Sequence, residues 1–204
     1  MDKTGKKIQK RDNPNDVFIT PDTLVEEHFN LVKPYLKYCD IVLDPCCHET
    51  QKYYKRFNKH LDWCYGSGKA QEQEEWSDGL VDWCEITKGR DFFEYKGFDE
   101  GTYDRDTGEE DIAPVNAIVG NPPYSMIDEF LDKSIELEPR VISYLIGFAN
   151  ITTKRLEKME KAGYKCVEFH LTKVFKWFGM SLLIVWVKDT DAKSVVGYDR
   201  KVHR

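Results

Sequence analysis

Short, almost wholly apolar runs, separated by amphipathic stretches, constrain this chain more than any other feature. The clearest run is Asp40-Ile41-Val42-Leu43-Asp44, and others recur at 81–86, 115–119, 141–146, 164–171 and 182–187. A strand apolar at successive rather than alternate positions is buried on both faces. The intervening stretches supply the cover. Leu24, Val25, Phe29, Val32 and Leu36 fall at helical spacing across 22–36, as do Met126, Ile127, Phe130, Leu131, Ile135 and Leu137 across 126–137. Further helices are expected between 49 and 60 and from Thr152 or Thr153 to Gly163. Such alternation builds βαβ units, a mostly parallel sheet with helices on both faces. Residues 172–181 are too few for a crossover helix, so the last two runs are expected to pair antiparallel. The expectation is a doubly wound α/β fold of about seven strands, parallel except near the final hairpin.

A chain of 204 residues with 41% hydrophobic content suits one such domain, spanning 1–204. Thr20 or Asp22 is expected to cap the first helix and Ser125 the one that follows the 115–119 strand. Residues 1–15 read as a basic arm carrying Lys3, Lys6, Lys7, Lys10 and Arg11, and Arg200, Lys201 and Arg204 as a basic tail. Segments 61–80 and 97–114 read as insertions or surface loops. The net charge of −6 is uneven: residues 99–111 hold seven acids against one arginine. A negative total therefore does not exclude a nucleic-acid partner.

No run of eighteen apolar residues occurs, and no apolar stretch follows the basic N-terminus, so a cytoplasmic protein without a membrane span is expected. The cysteines at 39, 46, 47, 64, 84 and 166 form no Cys-x-x-Cys pair and read as reduced thiols, with no metal site. His48 beside Cys46, Cys47 and Glu49 is poorly spaced for a metal or a nucleophile, because adjacent side chains point apart.

The chemistry concentrates in Asn121-Pro122-Pro123-Tyr124, which follows the strand Ala117-Ile118-Val119-Gly120. Exocyclic amines and side-chain amides are poor nucleophiles because the nitrogen lone pair is delocalised. Acceptors aimed at both N–H bonds draw that pair out, and the Asn121 side-chain oxygen and the Pro122 carbonyl are suited to this, held by stiff prolines. Tyr124 offers an aromatic face for a planar group and for a methyl sulfonium cation. Taken alone, Asn-Pro-Pro is equally a turn that stops a strand.

The chain resembles the amino-methyltransferases, in particular adenine-N6 DNA methyltransferases of phages and restriction systems, in which Asn-Pro-Pro-Tyr is the catalytic motif. Phe18-Ile19-Thr20-Pro21 resembles the Phe-x-Thr-Pro segment that helps hold the methionine part of the cofactor. Leu43-Asp44-Pro45-Cys46-Cys47 resembles the cofactor-binding strand end. Glu85 matches the acid that takes the ribose hydroxyls, and Asp91-Phe92 the loop at the cofactor adenine. Val174-Phe175-Lys176-Trp177-Phe178 resembles the aromatic loop that packs on a flipped base, with ordinary hairpin aromatics as the alternative.

These matches keep the family's order. The resemblance implies a Rossmann-like S-adenosylmethionine-dependent methyltransferase fold. It also implies double-stranded DNA as partner, a bacterial or phage-infected cell, direct in-line transfer to the N6 amine of a flipped adenine, and no metal. Tyr124 with Trp177 or Phe178 would sandwich that base. Asn121 would serve both catalysis and the cofactor.

Two departures stand beside it. Cys46-Cys47-His48-Glu49-Thr50 lacks the glycines that let backbone approach a cofactor, and the stretch from Asp44 to Glu85 is long. RNA adenine or protein glutamine as substrate, and a binding protein on an inactive methyltransferase fold, remain alternatives. Oligomeric state is not legible, although a homodimer is one way to extend a small DNA-binding surface.

Overall fold

A computed structural model describes residues 18–37, 40–64, 81–103, 110–174 and 179–203. The basic arm 1–15, most of 61–80, the 175–178 segment with Trp177 and Phe178, and Arg204 lie outside them.

In chain order the elements are α1 (Asp22–Val32), β1 (Val42–Asp44), α2 (Lys52–Cys64), β2 (Val81–Trp83), β3 (Phe98–Tyr103), β4 (Glu110–Ala113) and β5 (Ala117–Gly120). They continue with α3 (Ile127–Glu136), β6 (Val141–Gly147), α4 (Thr153–Lys161), β7 (Tyr164–Val174), β8 (Met180–Lys188) and β9 (Val195–His203). Seven strands form one sheet in the order β2-β1-β5-β6-β8-β7-β9, and β3 and β4 form a separate pair. The pairs from β2 to β6 are parallel, β8 runs antiparallel to both β6 and β7, and β9 lies parallel to β7.

Every residue of β1 and β5 is buried, as their unbroken apolar runs require. Alternate side chains go to opposite faces. On one face Ile142, Tyr144, Ile146, Leu182, Ile184 and Trp186 pack with Phe130, Leu131 and Met159 of α3 and α4. On the other, Val42, Val119, Val141, Val185 and Val187 pack with Val25, Phe29 and Val32 of α1 and Tyr53 and Phe57 of α2. The sheet is thus covered by helices on both sides. The doubly wound α/β architecture expected from the strand–helix alternation is the one observed.

Four local expectations are corrected. The first helix stops at Val32 rather than continuing to Leu36, because Pro34 lacks the N–H a longer helix needs and a 3-10 turn, Lys33–Tyr35, takes over. Neither Thr20 nor Asp22 caps it: Pro21 stands at the N-cap with no side-chain bond. Ser125 likewise does not stand at the N-cap of α3, since Tyr124–Met126 forms a 3-10 turn and Met126 takes that position. The 97–114 segment contains the β3–β4 hairpin, in which Phe98 faces Ala113, both packed against the main core. Its acidic residues masked that pattern.

The residues of the basic tail up to His203 lie in β9. Thr152, by contrast, caps α4 as expected, and Gly163 follows it at φ 84, the left-handed turn that favours glycine.

Candidate functional site

Asp44 ends β1, Glu85 lies just past β2, and Asn121 directly follows β5. Because these strands are parallel, all three reach the same edge of the sheet, where the strand order departs in two directions from β1. The connection after β1 is stitched to the end of β2: Cys84 N–H donates to the Asp44 carbonyl at 2.8 Å, and Cys47 N–H donates to the Cys84 carbonyl at 2.8 Å.

That connection, glycine-free in sequence, is shaped by other means. His48 and Gln51 adopt φ 54° and 52°, the left-handed region a glycine would occupy without cost. Glu85 holds the result. One carboxylate oxygen accepts from the His48 N–H at 2.9 Å, and the other from the Thr87 N–H at 3.1 Å and hydroxyl at 2.9 Å. Gly120 completes the packing, since a Cβ there would sit 2.9 Å from Pro45 Cδ and 3.2 Å from an Asp44 oxygen.

Asp44 is 2% exposed. Its Oδ1 accepts from the Cys46 N–H at 3.3 Å, while its Oδ2 is buried and accepts from nothing. Burial disfavours the charged form and pushes its carboxyl up to about 7. Cys47 beside it is held well above the usual thiol range, first by burial and then by Asp44 itself. The Cys47 side chain is therefore a thiol rather than a thiolate.

Asn121 is anchored by its amide nitrogen, which donates to the Phe18 carbonyl at 3.2 Å and the Thr20 hydroxyl at 3.1 Å. A carbonyl only accepts, so the amide's orientation follows, and its oxygen is the end left over. That oxygen is buried and has no hydrogen-bond partner. Pro122 is buried behind it, and the Pro123 carbonyl accepts from the Met126 N–H at 3.0 Å, turning the chain into α3. Tyr124 is half-buried against the core, and its ring lies where a Cβ on Gly147, at the end of β6, would come within 3.2 Å of Cε2.

The structure thus brings together Phe18, Thr20, Pro21, Asp44, Pro45, Cys46, Glu85 and the 121–124 tetrapeptide. Asp91 accepts from the Phe93 N–H at 3.1 Å, as the cap of a short turn. The Phe92 ring, 1% exposed, stacks on Phe130 at 5.1 Å between centroids, so Phe92 can offer a ligand its backbone and not its face. Trp177 and Phe178 fall outside the described residues. Sequence reasoning missed Gly147, whose signal was a glycine ending a strand, and His28, a polar residue on the apolar stripe of α1.

No family model matches the chain. No curated protein matches it in sequence. Among solved structures it is similar to a protein of Listeria monocytogenes assigned to the class I S-adenosylmethionine-dependent methyltransferases. The identity is 15% and the TM-score 0.53, over 98% of this chain and 70% of that one. The fold is that of the class I methyltransferases. Looser likenesses are to a methyltransferase of Pyrococcus furiosus and to a precorrin-6y C5,15-methyltransferase of Geobacter metallireducens. The first has 11% identity and TM-score 0.43, over 92% of this chain and 96% of that one. The second has 13% identity and TM-score 0.38, over 80% and 89%.

Among the described residues, no group of three or more His, Cys, Asp or Glu side chains is placed to hold a metal ion, and no helix is long and apolar enough to cross a membrane.

Proposed function

We propose that this chain is an S-adenosylmethionine-dependent methyltransferase acting on the N6 amine of adenine in DNA. The observation that carries the reading is the Asn121 side-chain oxygen, a buried acceptor with no partner, on an amide whose nitrogen is tied down at its other end. An orphaned buried acceptor costs about 1–3 kcal/mol, and a ligand N–H recovers that cost. The same argument applies to the Asp44 Oδ2, which suits the cationic or N–H-bearing part of a cofactor, and Phe18, Thr20, Pro45, Cys46 and Glu85 surround the same edge. These donors and acceptors fit S-adenosylmethionine, which supplies an electrophilic methyl group when bound.

The chain's own part in the chemistry is orientation and electrostatics. Asn121 accepts from one N–H of the target amine. The Pro122 carbonyl is the second acceptor, and together they localise the nitrogen lone pair toward the incoming methyl. Tyr124 stacks against the planar ring to which the amine is attached. Transfer is in line and direct, with no residue of the chain becoming covalently modified. Cys47 is consistent with this, since burial holds its thiol protonated and it is not set up as a nucleophile.

DNA rather than RNA or protein is favoured by the resemblance of Phe18-Ile19-Thr20-Pro21 to the Phe-x-Thr-Pro segment of the DNA adenine enzymes; the same segment anchors Asn121 through the Phe18 carbonyl and the Thr20 hydroxyl. The base would have to leave the duplex stack to reach an acceptor this deep.

The test is incubation with S-adenosylmethionine and unmethylated double-stranded DNA, counting N6-methyladenine by mass spectrometry, with RNA and protein acceptors in parallel and Asn121→Ala as control. Methyladenine in DNA from the parent and not the variant supports the reading. Product only in RNA or on glutamine moves the substrate. No product anywhere, with S-adenosylmethionine still raising Tm, leaves a binding protein on this fold.

A further inference from the structure

Gly147, Ser181 and Thr172 form one row across β6, β8 and β7: Gly147 stands opposite Ser181, and Ser181 opposite Thr172. Opposed residues on antiparallel strands point to the same face, with Cβ positions about 4.5–5.5 Å apart. A Cβ on Gly147 would lie 3.2 Å from Tyr124 Cε2, so Ser181 stands one strand away from that contact and Thr172 two. On the same face Leu145, Leu183 and Val174 pack with Leu24 and with Phe18, whose carbonyl holds Asn121. The row thus belongs to the working edge, beside Tyr124 and on the face that Phe18 covers.

Both side chains are fully buried, and neither hydroxyl has a hydrogen-bond partner among the described residues. Burying an unpaired hydroxyl is unfavourable, and alanine at 181 with valine at 172 would fill nearly the same space without that penalty. The residues of β8 that follow on this face, Leu183, Val185 and Val187, are all apolar. The hydroxyl comes where the strand meets the rim: Gly179 and Met180 just before Ser181 are exposed, and Gly147 opposite it is half-buried. The Asn121 oxygen, buried and without a partner at the same edge, is the precedent.

We propose that Ser181 and Thr172 bind the methyl acceptor, donating hydrogen bonds to ring nitrogens of the base whose amine Asn121 holds. This rests on the reading of Asn121 and Tyr124 as the residues that receive an adenine. Once the amine has given its protons to Asn121 and Pro122, the polar atoms left on the ring, N1, N3 and N7, only accept. Two hydroxyls without an acceptor are their chemical complement. Phosphate oxygens also accept, but the row starts one strand from the Tyr124 contact, within reach of a ring stacked there and short of the backbone beyond the sugar. The contact holds the acceptor and takes no part in moving the methyl group, so it belongs in acceptor affinity and not in kcat.

The test uses duplexes of mixed sequence whose adenines are all ordinary, or all 1-deaza-, 3-deaza- or 7-deazaadenine, each lacking one ring nitrogen. Methyl transfer, and equilibrium binding with S-adenosylhomocysteine present, are measured for the parent, Ser181→Ala, Thr172→Val and Thr172→Ser. With ordinary DNA, Ser181→Ala and Thr172→Val should raise KM for DNA about three- to tenfold, the range for one hydrogen bond, with kcat and KM for S-adenosylmethionine within about twofold. Their Tm should not fall, since each loses only an unpaired group. In the parent, at least one deaza duplex should bind about three- to tenfold more weakly, and that penalty should vanish in Ser181→Ala or Thr172→Val and persist in Thr172→Ser.

A lower Tm in both variants with KM unchanged means that the hydroxyls serve the fold, and overturns the proposal. A raised KM whose size is the same for all four duplexes puts the contact on sugar or phosphate, and overturns the ring assignment. Methyl transfer that neither variant disturbs leaves the functional reading in place and removes the contact. A parent that transfers no methyl group, yet binds the duplexes with the deaza pattern lost in the variants, ends the functional reading and keeps the contact.

Discussion

At the amino ends of the parallel strands, polar groups are buried and fully engaged. Asp40 accepts from Arg140 and from the Lys37 N–H, Arg140 also donates to the Tyr35 carbonyl, and the Asn116 side chain accepts from the Ile41 N–H at 2.8 Å. Tyr164 donates to the Pro139 carbonyl at 2.7 Å. At the carboxyl ends the same kinds of group are left incomplete: Asp44 Oδ2, Asn121 Oδ1, and the hydroxyls of Thr172 and Ser181, which face each other across β7 and β8, have no partner. Unsatisfied buried acceptors are costly, so an edge that carries several is built for something that arrives later. One end of the sheet holds the fold, and the other is held ready by it.

The sharpest way to break this contrast is to remove one group from each end. Asn121→Ala removes an oxygen whose unpaired burial is unfavourable together with a nitrogen that donates to the Phe18 carbonyl and the Thr20 hydroxyl; the two effects oppose each other, so its Tm should stay within a few degrees of the parent. Its methyl transfer should fall by about two to three orders of magnitude, the usual consequence of losing one group that stabilises a transition state. Arg140→Ala should do the opposite. It strands the buried Asp40 and costs about 3 kcal/mol by denaturant unfolding, with turnover per folded molecule unchanged. If Arg140→Ala lowered turnover at full folding, the two ends would not be independent.

Asp44 sharpens the comparison through pH. An aspartate in the unfolded chain ionises near about 3.9, whereas in the folded chain burial moves it to about 7. Between these values the folded chain holds a proton that the unfolded chain has released. Stability therefore falls as pH rises through that window and levels off above it. Asp44→Asn removes the ionisation. The unpaired buried amide carries a penalty that does not vary with pH, so the quantity to read is the change: the stability of the variant relative to the parent should rise by about 4 kcal/mol between pH 4 and pH 8. A gain that did not change with pH would mean that Asp44 is not the group responsible.

Much of this layout was legible beforehand, and for a common reason. Strands buried on both faces leave continuous apolar runs, so 40–44, 115–119 and 141–146 announced a parallel sheet, and the residues ending them announced its working edge. What escaped was whatever depends on a partner far along the chain. Thr20 looked like a helix cap because serine and threonine usually serve that role; its hydroxyl is instead turned to Asn121, about a hundred residues on. Phe98 and Ala113 were hidden by acids around them, and His28 by the apolar stripe it interrupts. The glycine-free stretch after Asp44 suggested a lost cofactor loop. The left-handed residues His48, tied by Glu85, and Gln51, whose N–H donates to the His48 carbonyl, show how that turn forms without glycine.

The smallest expected effect separates shape from chemistry at the working edge. Gly147 sits where β6 ends, and a Cβ there would lie 3.2 Å from Tyr124 Cε2 and 3.2 Å from the Asn150 side-chain nitrogen. That is tighter than ordinary contact, so in Gly147→Ala the half-buried Tyr124 ring must move by a few tenths of an ångström. Asn121 is not touched, so no acceptor is lost; only the surface on which the substrate ring rests is tilted. Turnover should drop about tenfold, equivalent to about 1.4 kcal/mol, mostly through KM for the methyl acceptor, while Tm hardly changes. A loss confined to kcat would place Tyr124 with Asn121 in handling the amine, and no loss at all would remove it from the site.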